Sequence, residues 1–261
     1  MSTSSSDHLQ KELSIARIAA KRAGELALRY QREGVSAETK ADESPVTIAD
    51  REAEKLIASI LTEAFPKDGL LGEEGAGRPA ESGRRWIIDP IDGTRDFSRG
   101  SPLWSVLIGL EAGGEVITGV VNIPAWNQEY YASRGGGAFR NGAAIHVSNI
   151  TEVERSVLFF NGLREVHGRE FAPRLLDFMG RFWAVRSMSG APDAMLVAGG
   201  HGEVWVEPSA KPWDLAPIQV IVEEAGGRFF NFDGGRSIHA GNCVVCTPGV
   251  EDAVSAFLRS S

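Results

Sequence analysis

Apolar residues recur at helical spacing over residues 8–33, at Leu9, Leu13, Ala16, Ala20, Ala23, Leu26 and Ala27, and they predict a long first helix. The stretch from Glu33 to Pro45 is polar and rich in breakers, so it reads as an exposed loop. A second helix is expected from about Thr47 to Phe65, stopped by Pro66. Strands follow at Leu70–Leu71 and Trp86–Ile88, with a mobile Gly/Pro/Glu/Ser-rich loop between them. From Trp104 to Val147 the pattern shortens to β runs, Ser105–Leu110, Val116–Asn122, Gln128–Ala132 and Ala144–Val147. Gly-Gly and Arg-Asn-Gly turns divide them, which suggests an antiparallel meander. After about residue 152 strands and helices alternate: Val157–Phe160, a helix near 168–180, a strand near 182–186, a helix near 190–199, Val204–Glu207, a helix at 214–225, a β pair around Phe229, Cys243–Thr247 and a final helix. The expected organisation is an α+β lobe over residues 1–150 and an α/β lobe over residues 151–261.

Composition narrows the partners. A chain of 261 residues with 43% apolar and 24% charged residues has ample core for a soluble globular fold. Its net charge of −8 argues against nucleic acid or an anionic membrane as partner and suits the collection of cations. No run approaches the roughly 20 apolar residues of a membrane span, and the first residues lack the basic and apolar regions of a signal peptide. Cys243 and Cys246 stand three apart in a predicted strand and point to opposite faces, so two buried, reduced thiols and a cytoplasmic location are expected.

The chemistry concentrates in acidic residues. Asp50, Glu73, Asp89, Asp92 and Asp214 all stand where a strand end or helix start is expected. In Trp86-Ile-Ile-Asp89-Pro-Ile-Asp92-Gly-Thr94, Pro90 is expected to break the strand ladder and turn the chain so that Asp92 rejoins Asp89. Gly93-Thr94 then opens a segment whose free N–H groups, if it is helical, suit an anion. Mg²⁺ takes octahedral oxygen ligands, and a pair of such ions can clamp both oxygens of an in-line displacement at phosphorus. Asp-Pro-x-Asp-Gly alone is also a turn sequence. It is not an EF-hand loop, because the glycine comes one position early and no glutamate closes it. Nor does it fit the haloacid-dehalogenase nucleophile loop, since Pro90 occupies the place of the required first aspartate.

These residues resemble the inositol monophosphatase superfamily of Mg²⁺-dependent, Li⁺-sensitive phosphatases. The resemblance rests on Lys40-x-Asp42-x-Ser-Pro-Val-Thr47-x-Ala-Asp50, on Gly-Glu73-Glu74, on Trp86 through Thr94, and on Trp213-Asp214 through Glu224-Ala-Gly-Gly227, four motifs in order. It implies a layered αβαβα sandwich with the site between its lobes, a homodimer, and hydrolysis of a small phosphate monoester by metal-activated water. Two or three Mg²⁺ are implied, with no organic cofactor and no covalent intermediate. Glu73, Asp89 and the Ile91 carbonyl would hold the first ion, Asp89, Asp92 and Asp214 the second, and Glu74 a weaker third near Lys40 and Asp42. Glu73 and Thr94 would position the attacking water, Asp50 would back Thr94, and the Gly93 and Thr94 N–H groups would take phosphate oxygens. Pro217 departs from the second signature and is expected in the first turn of its helix, where a missing N–H costs little.

Substrate choice lies outside the metal motifs. Phe97-Ser-Arg99-Gly-Ser-Pro-Leu-Trp104 and Val204-Trp-Val-Glu207 resemble the histidinol-phosphatase branch. Histidinol phosphate carries an ammonium and an imidazole, which a pocket with extra acid and an aromatic wall suits. Glu207 is the candidate contact to the organic part, and Asp193 is either a second contact or a helix-start charge. Trp104 is core or ligand wall, and Arg99 a contact or a surface charge. Inositol 1-phosphate is the alternative substrate, then a broader range of sugar or nucleotide phosphates. A metal-binding homologue without activity is the non-enzymatic alternative. The five histidines show no metal spacing, and Gly135-Gly-Gly137 reads as a hairpin feature.

Overall fold

In the computed structural model, which describes residues 5–34, 38–39 and 45–259, the described residues build an eight-stranded and a five-stranded sheet with helices between and outside them, and a separate two-stranded ribbon. The first half comprises α1 (Ser5–Glu33), β1 (Glu38–Thr39), β2 (Pro45–Val46), α2 (Ile48–Ala64), β3 (Gly69–Gly72), β4 (Gly77–Arg78), β5 (Arg84–Asp92), α3 (Thr94–Ser98), β6 (Ser105–Ala112), β7 (Glu115–Ile123), β8 (Gln128–Ser133), β9 (Ala138–Arg140) and β10 (Ala143–Ala144). The second comprises β11 (Val157–Phe160), α4 (Leu175–Met179), β12 (Ala184–Arg186), α5 (Gly190–Ala198), β13 (Val204–Glu207), α6 (Pro212–Glu224), β14 (Arg228–Phe230), β15 (Cys243–Cys246) and α7 (Glu251–Arg259). The large sheet has the order β10-β9-β8-β7-β6-β5-β3-β4 and the smaller one β12-β11-β13-β15-β14.

Three apolar cores define the layers. An alanine-rich stripe of α1 (Ala16, Ala20, Ala23, Ala27) and Ile57 and Leu61 of α2 bury one face of the large sheet with Trp86, Ile88 and Val106. Its other face meets α6, which with α5 fills the space between the sheets through Leu215, Ile218, Ala194 and Met195. Phe178 of α4 and Val254 and Phe257 of α7 cover the outer face of the small sheet. This is the αβαβα sandwich that the resemblance implied. Cys243 and Cys246 are both free and buried, on opposite faces of β15 in different cores.

The approach of α6 to the large sheet sets the position of Asp214. Gly109 of β6 and Gly119 of β7 are register partners. A Cβ on Gly109 would lie 2.7 Å from Ala216 Cβ, and one on Gly119 would lie 2.7 Å from Pro217 Cα. The glycine pair therefore opens a gap that the helix backbone enters. Because α6 begins at Pro212, Pro217 lies inside it and not in its first turn as expected; it stands where the helix meets this gap.

Three further expectations change. β5 continues through Pro90 to Asp92 instead of ending there. The last strand of the meander is β10, because Asn141-Gly142 forms the turn and Ala143–Ala144 pair back on β9. Only α4 is α-helical in the region of 168–180: Pro173 falls in a separate short 3₁₀ turn, and Gly168 has a positive φ. Gly135 and Gly137 do belong to a hairpin connection, and their N–H groups donate to Glu224 at 3.0 and 2.9 Å.

Candidate active site

The site forms where β5 bulges. Asp89 pairs with Leu107 and Asp92 with Ser105, so one extra residue separates the aspartates on β5. A bulge shifts the alternation of side chains. Ile87 packs in the core between the sheets, whereas Ile88 and Ile91 both pack on the α1/α2 side. Ile91 has thus exchanged faces, and Asp92 returns to the side of Asp89. Pro90 has no N–H to lose from the ladder, which suits the bulge. The Asp89 carboxylate accepts the Ile91 N–H at 3.0 Å. The Asp92 carboxylate accepts the Ala191 N–H at the start of α5 (3.1 Å) and the Ser105 hydroxyl (3.3 Å).

Asp214 completes the cluster from the first turn of α6, where its carboxylate also accepts the Lys211 N–H at 2.7 Å. One oxygen from each of Asp89, Asp92 and Asp214 lies within 4.8 Å of the others. Burial first, and then the Glu73, Asp92 and Asp214 carboxylates, hold Asp89 well above the usual carboxylate range. Burial pushes Asp92 up to about 6, and burial with the neighbouring Asp92 pushes Asp214 up to about 7. Crowded hard oxygens at such a cost to their ionised forms fit a divalent cation, whose charge removes the repulsion.

Glu73 follows β3, and its N–H donates to the Ile88 carbonyl at 3.1 Å, which ties it to the end of β5. Thr94 of α3 and Asp50 of α2 meet side chain to side chain. The Thr94 hydroxyl lies 3.0 Å from Asp50 Oδ1 and 3.1 Å from the Ile91 carbonyl. Asp50 Oδ2 accepts the Thr47 N–H (2.8 Å) and hydroxyl (2.5 Å) in a capping box at the start of α2. Burial raises the Asp50 pKa against these hydrogen bonds.

A cavity of about 480 Å³ opens over the cluster, and Glu73, Asp92, Gly93, Thr94, Glu207 and Asp214 are among its lining residues. Burial, followed by Asp214 and Asp92, pushes Glu207 up to about 8 against the Ser209 N–H it accepts. Asp193 has no exposed surface and accepts the Met188 and Ser189 N–H groups at 3.0 and 3.3 Å, so it braces the pocket wall from behind. Lys40 and Asp42 lie outside the described residues. Trp104 is fully buried, edge-on to Phe97 at 5.1 Å, and is core; Arg99 is exposed.

The sequence reading missed the groups that orient the acidic cluster. Ser105 and Ala191 reach Asp92 from distant segments and carry no local signal. Glu165 and Asn161 line the cavity from the turn after β11. Glu54, 3% exposed, accepts the Glu74 and Ala76 N–H groups, and its signal was available: it stands one turn after Asp50 within the apolar stripe of α2.

The cluster makes metal-free stability depend on pH. Carboxylates raised above their usual pKa bind protons more tightly in the folded chain than in the unfolded one. Their contribution is present in full at low pH and is lost as pH rises through the folded values of about 6 and about 7. In EDTA, Tm is therefore expected to fall between about pH 5 and about pH 8, and excess Mg²⁺ at the upper pH to restore it. A melting curve in EDTA that is flat or rises over this interval would contradict this account.

The layered sandwich and its acidic cluster between β5 and α6 suit a metal-assisted phosphatase, and the comparisons show that class. The family model described as Inositol monophosphatase family matches residues 8–260. Histidinol-phosphatase from Chlorobaculum parvum is 43% identical over 238 residues, covering 90% of this chain and 91% of the relative. Inositol-1-monophosphatase from Mesorhizobium japonicum is 37% identical over 210 residues, covering 77% of this chain and 79% of the relative. The crystal structure of extragenic suppressor protein suhB from Bartonella henselae superposes with a TM-score of 0.89 at 30% identity, covering 95% of this chain and 98% of that one. The chain belongs to the inositol monophosphatase family and is a phosphoric monoester hydrolase.

Proposed function

We propose that this chain hydrolyses histidinol phosphate to histidinol and phosphate, a step of histidine biosynthesis, with two or three Mg²⁺ per site. Glu73, Asp89, Asp92, Asp214 and the Ile91 carbonyl would hold the principal ions and Glu74 a further one. Bound magnesium supplies charge neutralisation at the phosphoryl group and acidifies water. The chain supplies the positions. A Thr94 hydroxyl that donates to Asp50 keeps its lone pairs for a proton of the attacking water, and Glu73 faces the same space. The N–H groups of Gly93 and Thr94 take phosphate oxygens. Glu207 takes the ammonium or imidazole of the leaving alcohol, and a cation there draws it back to its charged form.

The observation that carries this reading is one cavity lined by Asp92 and Asp214 of the acidic cluster and also by Glu207, with Glu165 and Asp96 adding negative charge to the wall against Arg95, the single cation among the described lining residues. A pocket with so many acids favours an alcohol that is itself cationic over a neutral polyol. The name of the Chlorobaculum relative points the same way. A homodimer and a cytoplasmic location belong to the same reading. Support for the dimer comes from exposed Trp183 and Val185 at the edge strand β12.

The test is Mg²⁺-dependent phosphate release from histidinol phosphate, inositol 1-phosphate, fructose 1,6-bisphosphate and 3′-phosphoadenosine phosphate. Histidinol phosphate is expected to lead in kcat/KM by at least about tenfold, or about 1.4 kcal/mol of transition-state discrimination. Glu207→Gln is expected to reduce that lead while changing turnover of p-nitrophenyl phosphate much less. A panel led by inositol 1-phosphate would replace the substrate assignment.

A further inference from the structure

We propose that Glu54 is a positioning residue: from the buried face of α2 it fixes the loop that presents Glu73 and Glu74 to the cation. The inference rests on the reading that Glu73 is a metal ligand.

Glu54 Oε2 accepts the Glu74 N–H at 2.8 Å and Oε1 accepts the Ala76 N–H at 2.7 Å. A carboxylate spanning two backbone donors is a charge-assisted clamp, stronger and more directional than neutral bonds. The loop is closed by the Gly72 N–H donating to the Ala76 carbonyl at 2.7 Å. Its other anchor is the bond from the Glu73 N–H to Ile88 of β5. Glu73 is thus held between β5 on one side and α2 on the other. The loop has little packing of its own, since Gly75 and Gly77 are exposed.

The arrangement requires both partners to be what they are. A glutamine at position 54 has one acceptor oxygen, and its amide nitrogen would face a backbone N–H, donor against donor. On the opposite side, a Cβ at Gly72 would lie 2.3 Å from Glu54 Oε2 and would displace the carboxylate. α2 therefore carries two braces one turn apart: Asp50 holds Thr94, and Glu54 holds the Glu73–Glu74 loop. The loss of a group that orients a metal ligand weakens metal binding about 10- to 100-fold, even where every ligand remains.

The experiment is a Mn²⁺ titration of wild type, Glu54→Gln, Gly72→Ala and the double variant, read by electron paramagnetic resonance, with Tm in EDTA as the folding control. Glu54→Gln is expected to weaken Mn²⁺ binding about 10- to 100-fold. Gly72→Ala is expected to weaken it in the same direction, and the double variant to be little worse than the worse single one, because both act on one contact. The Mg²⁺ concentration for half-maximal phosphate release rises in parallel, while kcat at saturating Mg²⁺ returns to within about threefold of wild type. If Glu54→Gln does not fold, Gly72→Ala decides. Wild-type Mn²⁺ affinity in either folded variant, or additive losses in the double variant, overturns the positioning role. A wild-type protein that binds no Mn²⁺ overturns the metal-site reading together with it.

Discussion

Asp92→Asn is expected to lower phosphate-ester turnover by at least about 10²–10³-fold, and at the same time to raise the Tm of the metal-free protein at about pH 8. Asparagine has the shape of aspartate, and its carbonyl oxygen can still accept the Ala191 N–H that orients Asp92. What is lost is charge at the centre of the cluster. Burial already pushes Asp92 up to about 6, so above that pH its ionised form opposes folding when no cation is present. The substitution removes that opposition along with a ligand charge, and stability and turnover move in opposite directions, as is common where strain serves a site. Calorimetry in EDTA and a Mg²⁺-dependent phosphate assay read the two effects separately. Unchanged turnover would mark the three aspartates as an idle acidic cluster.

Thr94→Ala is expected to reduce kcat by about 10²–10⁴-fold with a smaller effect on KM, whereas Thr94→Ser retains most of the activity. The argument turns on one proton. The Thr94 hydroxyl has acceptors at both Asp50 and the Ile91 carbonyl but a single hydrogen to donate. Donated to Asp50, it leaves both lone pairs of Thr94 for water. Asp50 is itself fixed by two groups of Thr47, so one acceptor for that hydrogen is held in place from the start of α2. Alanine removes the whole relay, and serine restores the hydroxyl. Equal kcat for Thr94→Ala and wild type at saturating Mg²⁺ would remove Thr94 from the chemistry.

The elements that position the site were largely legible, because each carries a local signal. Thr47 and Asp50 form the capping box that begins α2, and the two aspartates around Pro90-Ile91 end β5. What Pro90 does there was not legible. A strand break and a bulge both bring Asp92 back to Asp89, and only the pairing of β5 with β6 distinguishes them. Similarly, Trp104 was open between core and ligand wall because an aromatic residue after a loop suits either. Its full burial against Phe97 places it in packing. Bonds such as Ala191 to Asp92 join residues 99 positions apart, and no period or spacing in one chain announces them. Pro217 was misplaced for the same reason that helix ends are hard to read: α6 starts before its acidic residue, at Pro212.

The Gly109–Gly119 pair gives the acidic cluster a dependence that its own residues do not reveal. Asp89 belongs to the sheet and Asp214 to the helix lying on it, so their separation is a thickness, the distance between two layers. Two hydrogen atoms in place of side chains set that thickness. The coordination sphere of a bound cation would therefore be gauged from beneath, by positions outside the acidic cluster. A methyl group added to the floor of the fold would be felt above it as a ligand out of reach.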